Sequence, residues 1–288
     1  MIIKKRNKTI NIINNKKDKE KMKKLSILAI AFAAIVFAAC GGKKSEQAAE
    51  NADSLKSFEQ QQIEASIKMH FDSIAAEFSK IDQPKFVKET KDGITLTKEE
   101  KQVKPTYLLA PAIADEATTL AEKYRVLAAL SVDKRIANLY EMPVEDFDKS
   151  ITKLAADIDD PSFKDVEDKG SIFETSSDLY EAMEKNGRIN YFWQLASAAL
   201  VEQLYIVSQN KDKFLSTFND ETAANVTFRI ILILDATNRL SQYDPEIQPV
   251  ATAMTPLEHL NATSVAELKA QMQEMKAEIE AARKALVK

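Results

Sequence analysis

Glycine is scarce in this chain of 288 residues, which contains only five. Two of them, Gly41 and Gly42, are adjacent, so only Gly93, Gly170 and Gly187 remain for the long segment that follows. A β-sandwich or β-barrel needs many tight turns, and such turns usually need glycine. Phosphate loops and dinucleotide-binding loops need closely spaced glycines. The sequence therefore predicts long helices with few sharp turns and excludes both kinds of nucleotide loop.

Apolar residues recur with helical spacing along most of the chain after residue 53. This spacing predicts helices over about residues 54–81, 112–140, 143–158, 176–186, 188–209, 220–243 and 264–286. The helix at 220–243 is apolar nearly all round its middle, so we expect it at the centre of the bundle. Residues 86–97 predict at most a small β-hairpin with Asp92-Gly93 at its turn. The predicted fold class is mainly α, a multi-helix bundle forming a single domain over residues 54–288.

The last predicted helix carries a heptad seam from Val265 to Leu286. Ser264-Val265-Ala266-Glu267 is typical of a capping box at its start. The seam lasts only about three heptads, the lower limit for a coiled coil. Packing on the chain's own bundle, and hence a monomer, is favoured over pairing of two chains, although both alternatives stay open.

Four polar residues stand out in the apolar helix at 220–243: Arg229, Asp235, Asn238 and Arg239. Asp235 and Arg239 are four residues apart, a spacing that allows an ion pair. One interpretation is a polar ligand pocket inside the bundle. The favoured interpretation is structural, a polar network that fixes the register of the helices.

Other potential site residues carry weaker signals. His70 and His259 are far apart, and no zinc-binding motif or second thiol accompanies them, so no metal site is predicted. An acidic loop from Asp159 to Asp168 lacks the alternating pattern of a calcium loop and is interpreted as a solvated loop. The three aromatic residues Tyr191-Phe192-Trp193 predict core packing, with one ring facing outward. No catalytic residue and no cofactor are assigned.

The segment from Met22 to Cys40 has the layout of a secretion signal. Lys23 and Lys24 precede an apolar run of 15 residues, Leu25–Ala39, broken only by Ser26. A run of this length is too short to span a ~30 Å hydrocarbon core, which needs about 20 residues. Residues 1–21 are rich in Lys, Asn and Ile and are unusually long for a charged leader, which favours translation from Met22.

Phe37-Ala38-Ala39-Cys40 resembles the lipobox of bacterial prolipoproteins, although that family prefers Leu where Phe37 stands. Cys40 is the only cysteine in the chain. The resemblance implies cleavage before Cys40, lipid on its sulfur and a membrane anchor, with residues 1–39 as leader and signal peptide. Gly41, in place of the Asp that retains such proteins at the inner membrane, implies the outer membrane of a Gram-negative bacterium. Residues 40–53 are small and polar and are interpreted as a flexible tether.

Charge is divided unevenly along the chain. Of its 40 basic and 44 acidic residues, ten and two lie in residues 1–39, so the remainder has a formal charge of −12. Nucleic acid needs a positively charged surface and is therefore excluded as a partner. The membrane, reached through lipid on Cys40, and a protein partner remain.

Two functions are compatible with these observations. The first is a membrane-anchored α-helical envelope lipoprotein without catalysis, a binding, accessory or scaffold protein. The second is a cell-envelope enzyme that uses carboxylates, with glycans as the substrate class considered. Two close carboxylates in a concave pocket would favour the enzyme, and a flat or grooved apolar surface would favour binding.

Overall fold

Helices account for 76% of the residues that the computed structural model describes, which are 58–69, 94–163 and 176–287. No strand occurs in these three ranges. The predicted fold class, a mainly α multi-helix bundle, is confirmed. The predicted leader, tether and modified cysteine all lie outside the described residues, as do His70 and the Asp92-Gly93 turn.

The described helices follow one another along the chain in this order. Residues 58–69 form α1, and 3-10 helices occupy Pro111–Asp115 and Thr255–His259. The remaining α-helices are α2 (Lys98–Gln102), α3 (Leu120–Leu139), α4 (Glu145–Ile158), α5 (Ser176–Lys185), α6 (Ile189–Gln209), α7 (Lys211–Phe214), α8 (Asp220–Leu240), α9 (Gln248–Met254), α10 (Val265–Glu274) and α11 (Lys276–Leu286).

The centre of the bundle is α6. It packs most extensively against α3 and also contacts α5, α7, α8, α9, α10 and α11. Fourteen of its residues are buried, among them Phe192 and Trp193. The expectation that the helix at 220–243 is central was wrong. One stripe of α8 reaches the surface, where Phe228 is 42% and Ile231 52% exposed.

The predicted helix from Ala112 to Tyr140 is divided in two. Pro111–Asp115 forms a 3-10 helix, and α3 begins only at Leu120. The Thr119 hydroxyl accepts a hydrogen bond from the backbone N–H of Glu122, and the Glu122 carboxylate accepts one from the backbone N–H of Thr119. This reciprocal capping box satisfies helix-terminal donors and fixes the start of α3.

Residues 94–97, the second arm of the predicted hairpin, are not a strand. Ile94 is buried in the core, and Thr97 caps α2 through a capping box with Glu100. At the end of α5 the prediction was correct: the helix stops at Lys185 and Gly187 has a φ of 68°, a left-handed conformation in which glycine is favoured.

The predicted C-terminal helix is interrupted at Met275, where φ is −97° and ψ is 17°. Val265 is half-buried, and the other residues of the heptad seam are buried within this single chain: Leu268, Met272, Met275, Ile279, Ala282 and Leu286. α11, which carries the second half of the seam, packs against α6 and α9. Ser264 caps α10 as predicted, but the Glu267 carboxylate bonds Thr263 instead of closing a box on Ser264.

Candidate functional site

The structure brings together two of the four polar residues singled out in α8. Arg239 Nε donates to Asp235 Oδ1 at 2.9 Å, and both side chains are about two-fifths exposed, 41% and 39%. Asn238 is exposed, and the half-buried Arg229 lies six residues before Asp235, on another side of the helix. The Asp235–Arg239 pair is an i,i+4 ion pair at the surface, a type that adds little to stability.

Two other residues considered in the sequence, His259 and Asp160, lie among the described residues. His259 is exposed beside Glu258. Asp160, from the acidic loop, is instead buried: its carboxylate accepts hydrogen bonds from the Tyr124 hydroxyl and from the backbone N–H of Ser162. The solvated-loop interpretation is therefore wrong for Asp160, whose oxygens join the segment after α4 to Tyr124 of α3.

The aromatic trio packs as predicted. Phe192 and Trp193 are 3% and 1% exposed and meet edge to face with ring centroids 5.1 Å apart. Tyr191 is half-buried and stacks on Tyr124 at 4.8 Å. The Tyr191 hydroxyl donates to Glu246 at 3.2 Å. These rings belong to the core and its edge.

The densest group of charged side chains in the described core was not predicted from the sequence. Asp133 of α3, Glu202 of α6 and Arg283 of α11 meet between the three helices. Arg283 donates through Nε and Nη2 to the two oxygens of Glu202, both at 2.7 Å. Arg283 Nη2 also lies 3.8 Å from Asp133 Oδ2. We call these three residues the acid–arginine cluster.

Backbone groups and aromatic rings enclose this cluster. The backbone N–H of Leu109 donates to Asp133 Oδ2 at 2.6 Å, and Arg283 Nη2 donates to the Tyr107 carbonyl at 3.2 Å. The guanidinium of Arg283 stacks over the Tyr205 ring at 4.0 Å, a cation–π geometry. Tyr107 and Tyr205 meet edge to face at 6.4 Å. The segment before α3 is thereby attached to α6 and α11.

Burial determines the protonation of the cluster. Burial, the nearby Glu202 charge and a hydrogen bond with Glu202 raise the pKa of Asp133 well above its ordinary value, against the lowering effects of Leu109 and Arg283. Burial alone would lower the pKa of Arg283, but its hydrogen bonds and charge interaction with Glu202 raise it. Burial likewise raises the pKa of the Tyr107 hydroxyl. Arg283 therefore stays positively charged, and the neighbouring Asp133 ionises less readily than an ordinary aspartate.

The cluster is closed to solvent. Asp133 and Glu202 are 0% exposed, and the Arg283 side chain is 13% exposed. Two adjacent carboxyl groups resemble the acid pairs that some hydrolases use, but a substrate must reach such groups. What this arrangement can do chemically is bind a proton and hold three helices together.

A second buried network ties α3 to the end of α11. Arg125 donates from Nε to the Leu286 carbonyl at 2.8 Å and from Nη1 to Gln194 Oε1 at 2.7 Å. Gln194 in turn donates to the Glu246 carbonyl at 2.7 Å. Burial lowers the pKa of Arg125. A cation at the carboxyl end of a helix is favourable, because it satisfies terminal carbonyls and the helix dipole.

The described residues contain no group of three or more His, Cys, Asp and Glu side chains placed to hold a metal ion. Among the same residues, no helix combines the length and the apolar character needed to cross a bilayer.

No protein-family model, curated protein or solved structure matches this chain.

Proposed function

We propose that this chain is a lipid-anchored α-helical lipoprotein of the cell envelope whose domain binds a partner and performs no catalysis. The observation that carries the proposal is the segment from Lys23 to Cys40: two lysines, 15 residues of which only Ser26 is polar, and a cysteine after two alanines. Cys40 is the only thiol of the chain and stands where lipid attachment requires one.

The residues after Cys40 fit the same proposal. Residues 41–52 are small and polar, and these twelve residues reach about 40 Å when extended. A helical domain begins within the next residues, since residues 58–69 are already helical. Gly41 favours the outer membrane as the destination. A negatively charged domain on such a tether would be repelled by anionic headgroups and would face the aqueous side.

A non-catalytic role is supported by the acid–arginine cluster. Asp133 and Glu202 are close enough to act as an acid pair, yet both are 0% exposed and Arg283 occupies both Glu202 oxygens. An enzyme that uses two carboxylates needs them close together and in a pocket that a substrate can reach. Asp133 and Glu202 are close together, but neither is accessible. The described structure therefore favours a structural role for these acids.

Anchoring is tested by Cys40→Ala in the native host. We expect the wild type to be cut before Cys40, to carry diacylglycerol and to sediment with the outer membrane. The variant should accumulate at precursor mass. Ser26→Ala, which changes only the polar residue of the apolar run, is the matched control and should be processed normally. An unlipidated mature terminus elsewhere in the wild type, found by mass spectrometry, would refute the proposal.

The start site and the partner need separate measurements. A gene that begins at Met22 should give the same mature mass and location as the full gene. The partner role is tested by mild detergent extraction of the wild-type lipoprotein and of Cys40→Ala. A defined envelope protein recovered in fixed ratio with the wild type supports the proposal, and recovery of the lipoprotein alone from every extract contradicts it.

A further inference from the structure

The acid–arginine cluster has two acids for one cation. With Asp133 and Glu202 both ionised, the site would carry a net charge of −1 in a place without access to water. An uncompensated buried charge is strongly unfavourable, so such groups bind a proton instead. One proton on the acid pair makes the cluster neutral.

The hydrogen bonds locate this proton. Both Glu202 oxygens accept from Arg283, and Asp133 Oδ2 accepts from the backbone N–H of Leu109. Asp133 Oδ1 is buried and has no donor among the described residues. Asp133 Oδ1 is therefore the one carboxyl oxygen of the pair that accepts no hydrogen bond among the described residues, which makes it the oxygen most available to carry the proton.

We propose that Asp133 and Glu202 share one proton, and that this proton makes the packing of α11 against α3 and α6 sensitive to pH. While the proton is bound, the three helices meet around a neutral cluster. When it is lost, two carboxylates repel each other beside a single guanidinium, and α11, which carries Arg283, is held less tightly.

The charged and titratable groups that face the pair come from each element packed against it. Asp133 lies on α3, and Tyr140 follows the end of that helix. Glu202 and Tyr205 lie on α6 and Arg283 on α11. Tyr107 belongs to the segment before α3. Tyr107 remains neutral because burial raises its pKa, and Arg283 remains charged because Glu202 raises its pKa.

The direction of the pH effect follows from linkage. The pKa of Asp133 is raised in the folded state, whereas an aspartate in the unfolded chain titrates near pH 3.9. Between these two values the folded protein binds more protons than the unfolded chain. This contribution to stability is complete below about pH 4 and is lost as pH rises through the folded pKa. One proton corresponds to at most about 4 °C of melting temperature per pH unit for a domain of this size.

Asp133→Asn in the full chain tests the proposal, because an amide imitates the protonated acid in shape and donor position. We expect the melting temperature of the variant, relative to that of the wild type, to rise as pH increases above about 4, by up to about 4 °C per unit, because only the wild type loses the shared proton. Asp157→Asn, at a half-exposed aspartate of α4, is the matched control and should show a difference independent of pH.

Two further variants keep the test decisive if Asp133→Asn does not fold. Glu202→Gln also supplies one donor to the pair and should remove the same pH dependence. The double variant leaves Arg283 without a carboxylate and should melt lower than either single variant at every pH. A double variant as stable as the singles would contradict a shared proton.

Two direct readouts complete the experiment. The infrared carbonyl band of a protonated carboxylic acid should be present in the wild type at pH 6 and absent from Asp133→Asn. Amide hydrogen exchange in Lys276–Leu286 should be faster in the wild type than in Asp133→Asn at pH 9, and equal at pH 5. Absence of the band, or a melting difference that does not change with pH, would overturn the proposal.

Discussion

At the scale of single residues, Arg283 connects more parts of the molecule than any other charged side chain in the described cluster. It bonds both oxygens of Glu202, the Tyr107 carbonyl and the face of the Tyr205 ring. Only a planar guanidinium can make two parallel bonds to a carboxylate while stacking on a ring. Arg283 is therefore the residue whose loss leaves the most groups without a partner.

Arg283→Met keeps much of the side-chain volume and removes the cation. Loss of one partner from a buried ion pair costs about 3–5 kcal/mol, because the other charge stays buried. We expect the free energy of unfolding of Arg283→Met, measured by urea denaturation, to fall by about that amount. The free energy of unfolding of Arg283→Lys should lie between the values of Arg283→Met and the wild type. Lys284→Met is the control, since the Lys284 side chain is 75% exposed. Equal effects at the two positions would contradict the assigned role of Arg283.

One part of this cluster could have been found in the sequence. Glu202 is the only charged residue in the 21 residues of α6, and a lone charge in an apolar helix should have a partner. The identity of that partner could not be found, because Arg283 lies 81 residues further along the chain. Local spacing contains no information about which distant side chains meet in a core.

At the scale of elements, helix starts are marked in the sequence more clearly than helix interiors. Thr97-Lys98-Glu99-Glu100 and Thr119-Leu120-Ala121-Glu122 both have the Thr-x-x-Glu pattern of a capping box, and both boxes form. The prediction of one helix from Ala112 to Tyr140 overlooked the second pattern and followed the apolar spacing alone. The break at Met275 has no such mark, since neither proline nor glycine is near it.

Thr119→Ala removes the cap of α3. Loss of an N-cap hydroxyl costs about 0.5–2 kcal/mol, because a helix-terminal N–H loses its acceptor. We expect the free energy of unfolding to fall within that range in chemical denaturation. Thr252→Ala, at an exposed threonine inside α9, is the control and should be neutral or slightly stabilising, since alanine favours helix. A larger loss at Thr252 than at Thr119 would contradict the role of the cap.

The same cap makes α3 sensitive to acid. Hydrogen bonds from the backbone of Thr119 and from Thr118 lower the pKa of Glu122 to about 2, below the value of about 4.3 in an unfolded chain. Its stabilising contribution is present above about pH 4.3 and is lost as pH falls toward 2.

We expect Glu122→Gln to reduce the loss of melting temperature between about pH 5 and 2.5 relative to the wild type. Glu145→Gln, at an exposed glutamate in the first turn of α4, is the control. Acid profiles of wild type and Glu122→Gln that run parallel would contradict this account.

At the scale of the whole molecule, the sequence was sufficient to predict the fold class but not the arrangement of the helices in the bundle. Scarce glycine and helical spacing were sufficient to predict an α-helical bundle. The central position was assigned to residues 220–243 because their middle is apolar, but α8 carries five charged residues, which are Asp220, Glu221, Arg229, Asp235 and Arg239. α6 carries one. A helix surrounded on all sides must be poor in charge along its entire length, which distinguishes the two.

The heptad seam provides a prediction about the assembled molecule. Leu268 and Ile279 are 2% and 0% exposed within one chain, so their surroundings are complete without a partner copy. We expect the wild type to sediment as a monomer. Leu268→Ala and Ile279→Ala should each lower the free energy of unfolding by about 2–5 kcal/mol and leave the sedimentation coefficient unchanged.

Val103→Ala, at a valine that is 75% exposed, is the matched control and should change neither quantity measurably. A wild-type dimer that the two core substitutions convert to monomers would show instead that the seam joins two chains.

The contacts of α11 also impose an order in time on folding. Glu202 and Arg125 obtain partners from residues 283 and 286, which the ribosome adds at least 81 positions after Glu202. At about 5–20 residues per second, the growing chain carries an unmatched acid in its most apolar helix for roughly 4–16 s. We expect a chain stalled before residue 276 to be cut readily by protease and a chain released after residue 288 to resist. The core around Glu202 and Arg125 therefore becomes complete only after residues 276–286 have been synthesised.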